Sequence, residues 1–255
     1  MNRRACLLVA PWLSLVASLA FAQMPGGPTG APARSANEAS PSPIAADAAR
    51  RPGAVATLSA PSADQFAKFC AHTEDSAECG KKIEAAQFAR AGGALASVVK
   101  RDGDLLAVLV PGEPPFLFAD KPGEAGPNYS FFAYDAAADA VVLYRARADV
   151  LDFVLVHRPT HSTTDLPNEP LFNSDGRYFV TADFCKEGCE NRVTVWRFER
   201  RGPARERQFA PRTAWSDAGV SWGAPRRLII DYTESGRSGA LNLDLGDPRW
   251  MVLLP

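Results

Sequence analysis

The chain has 255 residues, 46% of them apolar, with 28 basic side chains against 29 acidic. That length suits one sizeable core or two small ones, and so balanced a charge argues against a global nucleic-acid binder. Beyond the first 22 residues no stretch approaches the ~20 apolar residues of a membrane-spanning helix.

Residues 1–22 read as an export signal. Arg3 and Arg4 form the positive region, Leu7 to Leu19 the apolar region, and Ala20-Phe21-Ala22 the small-residue cleavage site before Gln23. The arginine pair lacks a preceding Ser or Thr, so general secretion is expected over the twin-arginine route. No cysteine follows the cleavage site, which argues against a lipid anchor. Removal of the signal leaves 233 residues, 26 basic against 29 acidic, a net charge of −3. A periplasmic or secreted protein is expected. Cysteine usage agrees: Cys6 leaves with the signal, and Cys70, Cys79, Cys185 and Cys189 remain, an even number suited to an oxidising compartment. Four cysteines allow three pairings; the spacing favours the local bridges Cys70–Cys79 and Cys185–Cys189.

Residues 23–60, rich in Ala, Pro, Gly and Ser, hold too few large apolar side chains to offset their ordering entropy and read as a disordered tether. Residues 61–93 read as a helical hairpin. Ser62 caps a short helix with Phe66 and Phe69, a polar link runs from His72 to Asp75, and a second helix runs from Ser76 to Ala91 until Gly92-Gly93 stops it. A Cys70–Cys79 bridge would close the joint.

Residues 94–255 carry β signals. Ala96–Lys100 and Leu105–Val110 read as strands across the turn at 101–104, and Pro115–Ala119 as a third. A weak repeat follows: Tyr134, Phe172 and Trp222 each precede a polar turn and then a strand, at 140–142, 178–180 and 228–230. A second strand follows each, near Leu155, Val195 and Leu243. The offsets of 38 and 50 residues match the scale of a four-stranded propeller blade. The clearest unit spans 171–201. Asn173-Ser174-Asp175-Gly176 is turn chemistry, Tyr178–Phe184 and Arg192–Phe198 are partner strands, and the loop between them carries Cys185 and Cys189.

The run FNSDGRYFVTA…NRVTVWRF resembles the blade signature of WD-repeat and TolB-like β-propellers, with Asn173 in place of the usual Pro. Residues 70–255 resemble uncharacterised exported bacterial proteins that join a cysteine-bearing helical segment to propeller-like repeats. The resemblance implies a recognition surface with no activity attached. The expected fold is therefore mainly β: a propeller-like antiparallel domain of about four small blades behind a short helical hairpin. The same alternation permits a two-sheet sandwich.

Chemistry-bearing motifs are few. His157, His161, Asp165 and Glu169 recur every fourth residue, but Pro159 and Pro167 rule out the helix that would align them as metal ligands; an exposed loop is expected, and no metal. No nucleophile elbow, zincin motif or phosphate loop is present, so no catalytic residue and no cofactor is assigned. Asp183, Glu187, Glu190, Asp231 and Glu234 lie in or near expected turns and supply carboxylates for an acid–base pair. Six arginines between Arg197 and Arg212 make a basic run, read as a loop, in which Arg200, Arg201, Arg205 and Arg207 are the candidates for binding a polyanion or an acidic partner. Trp196 and Trp222 are read as core. The expected function is a non-enzymatic binding or scaffold module of the envelope, its partner an envelope protein or polyanionic component. The alternatives are an envelope hydrolase using carboxylates in turns, and an inhibitor acting through the stapled 185–189 loop.

Overall fold

The computed structural model describes residues 55–253 apart from 74, 122–125, 149 and 186. The expected signal and residues 23–54 of the expected tether lie outside the described residues. The fold is mainly β, 51% strand with two helices.

Helix α1 (Ala63–Cys70) begins at a capping box: Ser62 Oγ accepts from Gln65 N, and the Gln65 side chain accepts from Ser62 N. Helix α2 (Ser76–Ala91) is capped by Asp75, whose carboxylate accepts from Ala77 N at 2.8 Å, and it ends at Gly92 with φ +56°. A disulfide joins Cys70 at the end of α1 to Cys79, buried on α2, with Cα atoms 4.9 Å apart.

Four antiparallel sheets follow in chain order. The first holds β1 (Val99–Asp102), β2 (Leu105–Val110) and β3 (Glu113–Ala119). The second holds β4 (Asn128–Asp135), β5 (Ala140–Arg147), β6 (Val150–His157) and β7 (Ser162–Leu166). The third holds β8 (Leu171–Phe172), β9 (Tyr178–Asp183), β10 (Arg192–Glu199) and β11 (Gly202–Phe209). The fourth holds β12 (Asp217–Ala224), β13 (Arg227–Glu234) and β14 (Arg237–Asp244). Finally β15 (Met251–Val252) returns to the outer edge of the third sheet beside β11. No sheet among the described residues closes on itself.

Successive sheets pack face to face. Val141 and Leu143 of β5 share a core with Leu106 and Val108 of β2. Their neighbours Val142 and Tyr144, pointing the other way, share one with Phe179 of β9, Trp196 of β10 and Ile83 of α2. Val180 and Val195, on the opposite face of the third sheet, meet Leu228, Ile230 and Leu243 of the fourth. Strands β5, β6, β9 and β10 are buried on both faces, and β5, β6 and the start of β9 read as near-continuous apolar runs, whereas β12 and β14 alternate because one face of the last sheet is open. Four stacked sheets are more layers than the two of a sandwich.

The repeat in the sequence is a repeat in space. Tyr134 pairs with Val141, Phe172 with Phe179 and Trp222 with Leu228, each aromatic on the first strand of a meander and each facing the strand beyond its turn. The turns touch. Asn173, almost fully buried, accepts from Tyr178 N at 3.0 Å and donates to Pro225 O, in the turn of the fourth sheet, at 2.8 Å. Gly176, at φ +67°, lies against the turn of the second sheet, where a Cβ would stand 2.5 Å from the carbonyl carbon of Ala137.

The structure departs from the sequence reading in several places. Residues 157–169, expected as an exposed loop, include the buried His157 at the end of β6 and the whole of strand β7, and Asp231, expected in or near a turn, lies mid-strand in β13. Residues 55–60, the end of the expected tether, are part of the fold: Leu58 exchanges two backbone hydrogen bonds with Tyr134, and Thr57 Oγ1 accepts from Ala136 N. Val55 and Leu58 pack against the core shared by the first and second sheets. Residues 96–98 are not strand but lie in and just beyond a 3₁₀ turn, Gly92–Ser97, which buries Leu95 and Val98 at the i, i+3 spacing of that helix. Residues 202–209, read as a basic loop, are strand β11; backbone pairing to β10 overrides their polar composition.

Gly176 supplies a test of the turn contacts. Gly176→Ala should lower stability by about 2–4 kcal/mol, combining left-handed strain with overlap on backbone. Gly236→Ala, also left-handed but facing open space, should cost only about 1–2 kcal/mol. Equal losses in urea denaturation would show that the turns are not in contact.

Candidate functional site

A cavity of about 500 Å³ opens where the first strands of three consecutive sheets come together. Phe132–Asp135 of β4 form one wall, Leu171–Phe172 of β8 with Glu169 and Pro170 before them a second, and Val220–Trp222 of β12 a third. Thr57–Pro61 crosses beside β4 and completes the rim. The three repeat-equivalent aromatics, Tyr134, Phe172 and Trp222, therefore line one space. Trp222 is half-buried and its Nε1 donates to Leu171 O at 2.9 Å, fastening the second wall to the third; it is a cavity residue as well as a core contact. Trp196 is core, stacked on Phe179 with ring centroids 5.5 Å apart.

Two carboxylates line the cavity. Asp135 is engaged in its own turn, its Oδ1 accepting from Ala138 N at 2.8 Å. Burial pushes its pKa up, opposed by the Ala138 and Ala137 backbone N–H groups. Glu169 makes no hydrogen bond or ion pair with any described residue, and burial pushes its carboxyl up to about 7. The Tyr134 hydroxyl donates to Asp139 at 2.9 Å; burial first, and that carboxylate second, raise its pKa.

The other candidates separate. His157 is buried on β6, its Nδ1 2.6 Å from Thr160 Oγ1 and its ring against Phe198. Its pKa is lowered by burial, against the pull of Asp139 and the Ala138 backbone. His161 is exposed at the turn into β7, at φ +46°, with its Nε2 3.0 Å from Pro114 O. Asp165 is exposed and pairs with Arg145. Of that fourfold run only Glu169 reaches the cavity, and among the described residues no three His, Cys, Asp or Glu side chains gather as a metal site. Asp183 accepts from Glu190 N and Glu190 pairs with Arg192, so both stitch the 184–191 loop. That loop carries the second disulfide, Cys185–Cys189, with Cα atoms 5.6 Å apart.

The arginines are spread around the third sheet. A bulge at Glu206 sets Arg205 opposite Trp196 and Arg207 opposite Val195, residues that belong to different cores on opposite faces. Arg205 lies over the Trp196 ring, 5.0 Å from its centroid, and Arg207 pairs with Glu206 at 3.1 Å. Arg197 pairs with Glu199. Arg200 and Arg201 stand exposed at the β10–β11 turn.

No protein-family model, curated protein or solved structure matches this chain. The cavity was missed in the sequence, although its signal was there. The aligned aromatics mark one end of three strands, and Asp135, Glu169 and Ser221 lie within three residues of them.

Glu169 gives the site a measurable signature. An unfolded Glu titrates near 4.3 and the buried one near 7, so the folded chain holds this proton more tightly. The stability it contributes is full below about pH 4 and is lost as pH rises through 7. Glu169→Gln mimics the protonated acid, so its melting temperature relative to the wild type should climb from about pH 4 to about pH 7 and level off above that. A flat difference across that range would place Glu169 in solvent.

Proposed function

We propose that the protein is an exported, non-enzymatic binding module, propeller-like with about four small blades, that holds a ligand in the cavity at its hub. One observation carries this reading: the first strands of three successive, repeat-related sheets line a single cavity. In a propeller the first strand of each blade lies innermost, and ligand sites favour concave, mostly apolar spaces of about 300–1,000 Å³ with a few polar groups. The likeness of residues 172–198 to WD-repeat and TolB-like blades supports the same arrangement, with each meander as one blade. The two disulfides suit the oxidising compartment that an export signal would lead to. A polyanionic or acidic partner would meet Arg200, Arg201 and Arg205, all exposed, with Arg205 resting over Trp196 and Arg207 paired with Glu206.

A second reading, an envelope hydrolase, draws on the cavity's two carboxylates. Both have raised pKa values, and a carboxyl titrating near neutrality suits a general acid. The binding reading stands ahead of it because Asp135 is tied into its turn.

One screen separates the two. A small-molecule library is tested by thermal shift against the wild type and Ser221→Trp, which fills the cavity from an exposed position. At about 100 times its Kd a ligand stabilises by about 2.7 kcal/mol, roughly 5–10 °C for a chain of this size. Ligands that shift the wild type, leave Ser221→Trp unmoved and are recovered unchanged are the expected result. Ligands that are consumed would favour the hydrolase, and ligands that shift both proteins equally would move the site elsewhere.

A further inference from the structure

The chemistry of the cavity wall narrows its ligand. The charged side chains that line it, Asp135 and Glu169, are both acidic, and no Lys, Arg or His among the described residues lines it. Asp135 already accepts a backbone hydrogen bond, while the Glu169 carboxylate is unpaired among the described residues. Phe172 and Trp222 line the same cavity as these acids, as does Tyr134, whose ring turns into the core shared with the first sheet. An ionised carboxylate in partly apolar surroundings is costly unless a counter-charge joins it. Aromatic faces attract cations through their quadrupole, and aromatic cages are a known means of holding ammonium groups.

Resting on the binding reading above, we propose that the hub cavity takes an organic cation, an ammonium group on an apolar or aromatic body, with Glu169 as its counter-charge. The ammonium sits against the Glu169 carboxylate, and the body lies along Phe172 and Trp222. A neutral molecule of the same shape fills the space but leaves the carboxylate unpaired. An anion meets two acids and no base. Selection is thus by charge first and by shape second.

Isothermal titration of the purified protein at pH 8 tests this with four probes of similar size: 2-phenylethylammonium, benzyltrimethylammonium, neutral 2-phenylethanol and anionic 3-phenylpropionate. The expected result is that at least one cation binds tenfold or more tightly than the alcohol, and that the carboxylate does not bind. Glu169→Gln should bring the cation down to the level of the alcohol without weakening the alcohol, and Ser221→Trp should remove both. Circular dichroism of each variant confirms that it is folded. Equal binding of alcohol and cations by the wild type would overturn the cation assignment and leave the binding cavity standing. Failure of both cations to bind below millimolar concentration would overturn it too. Undiminished binding of a cation to folded Glu169→Gln would remove Glu169 from the role. Binding undiminished in Ser221→Trp would remove the cavity, and the reading of function with it.

Discussion

The outer edge of β4 is a row of backbone groups with no neighbouring strand of a sheet, and the way it is satisfied governs the rest of the molecule. An open edge is a template for unwanted pairing, commonly blunted by covering it. Here the cover is helix α2 and the groups it gathers. Glu84 accepts from Phe131 N at 2.7 Å, Lys81 donates to Tyr129 O at 3.2 Å, and Gln87 donates to Phe132 O. Asp120 accepts from Tyr129 N at 2.7 Å. Farther along, Leu58 pairs with Tyr134 as a single bridge. A buried ion network locks the arrangement: Arg101 of β1 holds Glu84 through two hydrogen bonds of 2.9 Å and reaches Asp120 at 3.1 Å. Helix α2, the first sheet and the second sheet are thereby fixed to one another by groups that would be costly to bury singly.

This constraint reaches the cavity through β4 itself. Phe131 and Ala133 flank the bulge at Phe132, where the strand's register shifts, and Phe132 to Asp135 are cavity wall. Ile83 of α2 packs in the same core as Tyr144 and Phe132, and Gly80 lies so close to Ser130 and Tyr144 that a Cβ there would stand 2.8 Å from each. The helix is therefore seated against β4 and β5. On the far side, Asn173 and Gly176 brace the turn of the third sheet against its two neighbours, and Trp222 ties β12 to β8. All three walls are thus braced from outside the cavity. A carboxyl without a partner among the described residues, Glu169, sits between these braced walls.

Much of this was legible in the sequence because it is local. Ser62, the Gly92 stop, both cysteine pairs and the turn at 173–176 are set by residues within a few positions of one another. The repeated aromatics were legible as well, since each marks the same step of a meander. What escaped depends on distance along the chain. Arg205 and Arg207 read as loop because their composition is polar, yet β11 gains its backbone hydrogen bonds from β10 whatever its side chains are. Glu169 drew notice only as the fourth member of a spaced run with His157, His161 and Asp165. The residues that share the cavity with it include Tyr134, Trp222 and Leu58, 35 to 111 positions away, and no local pattern reports them. Glu84 and Arg101 likewise stand 17 positions apart, on α2 and β1, and no local pattern pairs them.

Native-state hydrogen exchange at the amides of Tyr129 and Phe131 tests the closed edge of β4 most directly. If α2 and Asp120 occupy that edge, both amides should exchange as slowly as those in the middle of β5, and Glu84→Ala should speed Phe131 far more than any amide of β13 in the fourth sheet. Fast exchange of both amides in the wild type, at the rate of an exposed edge strand, would contradict the account.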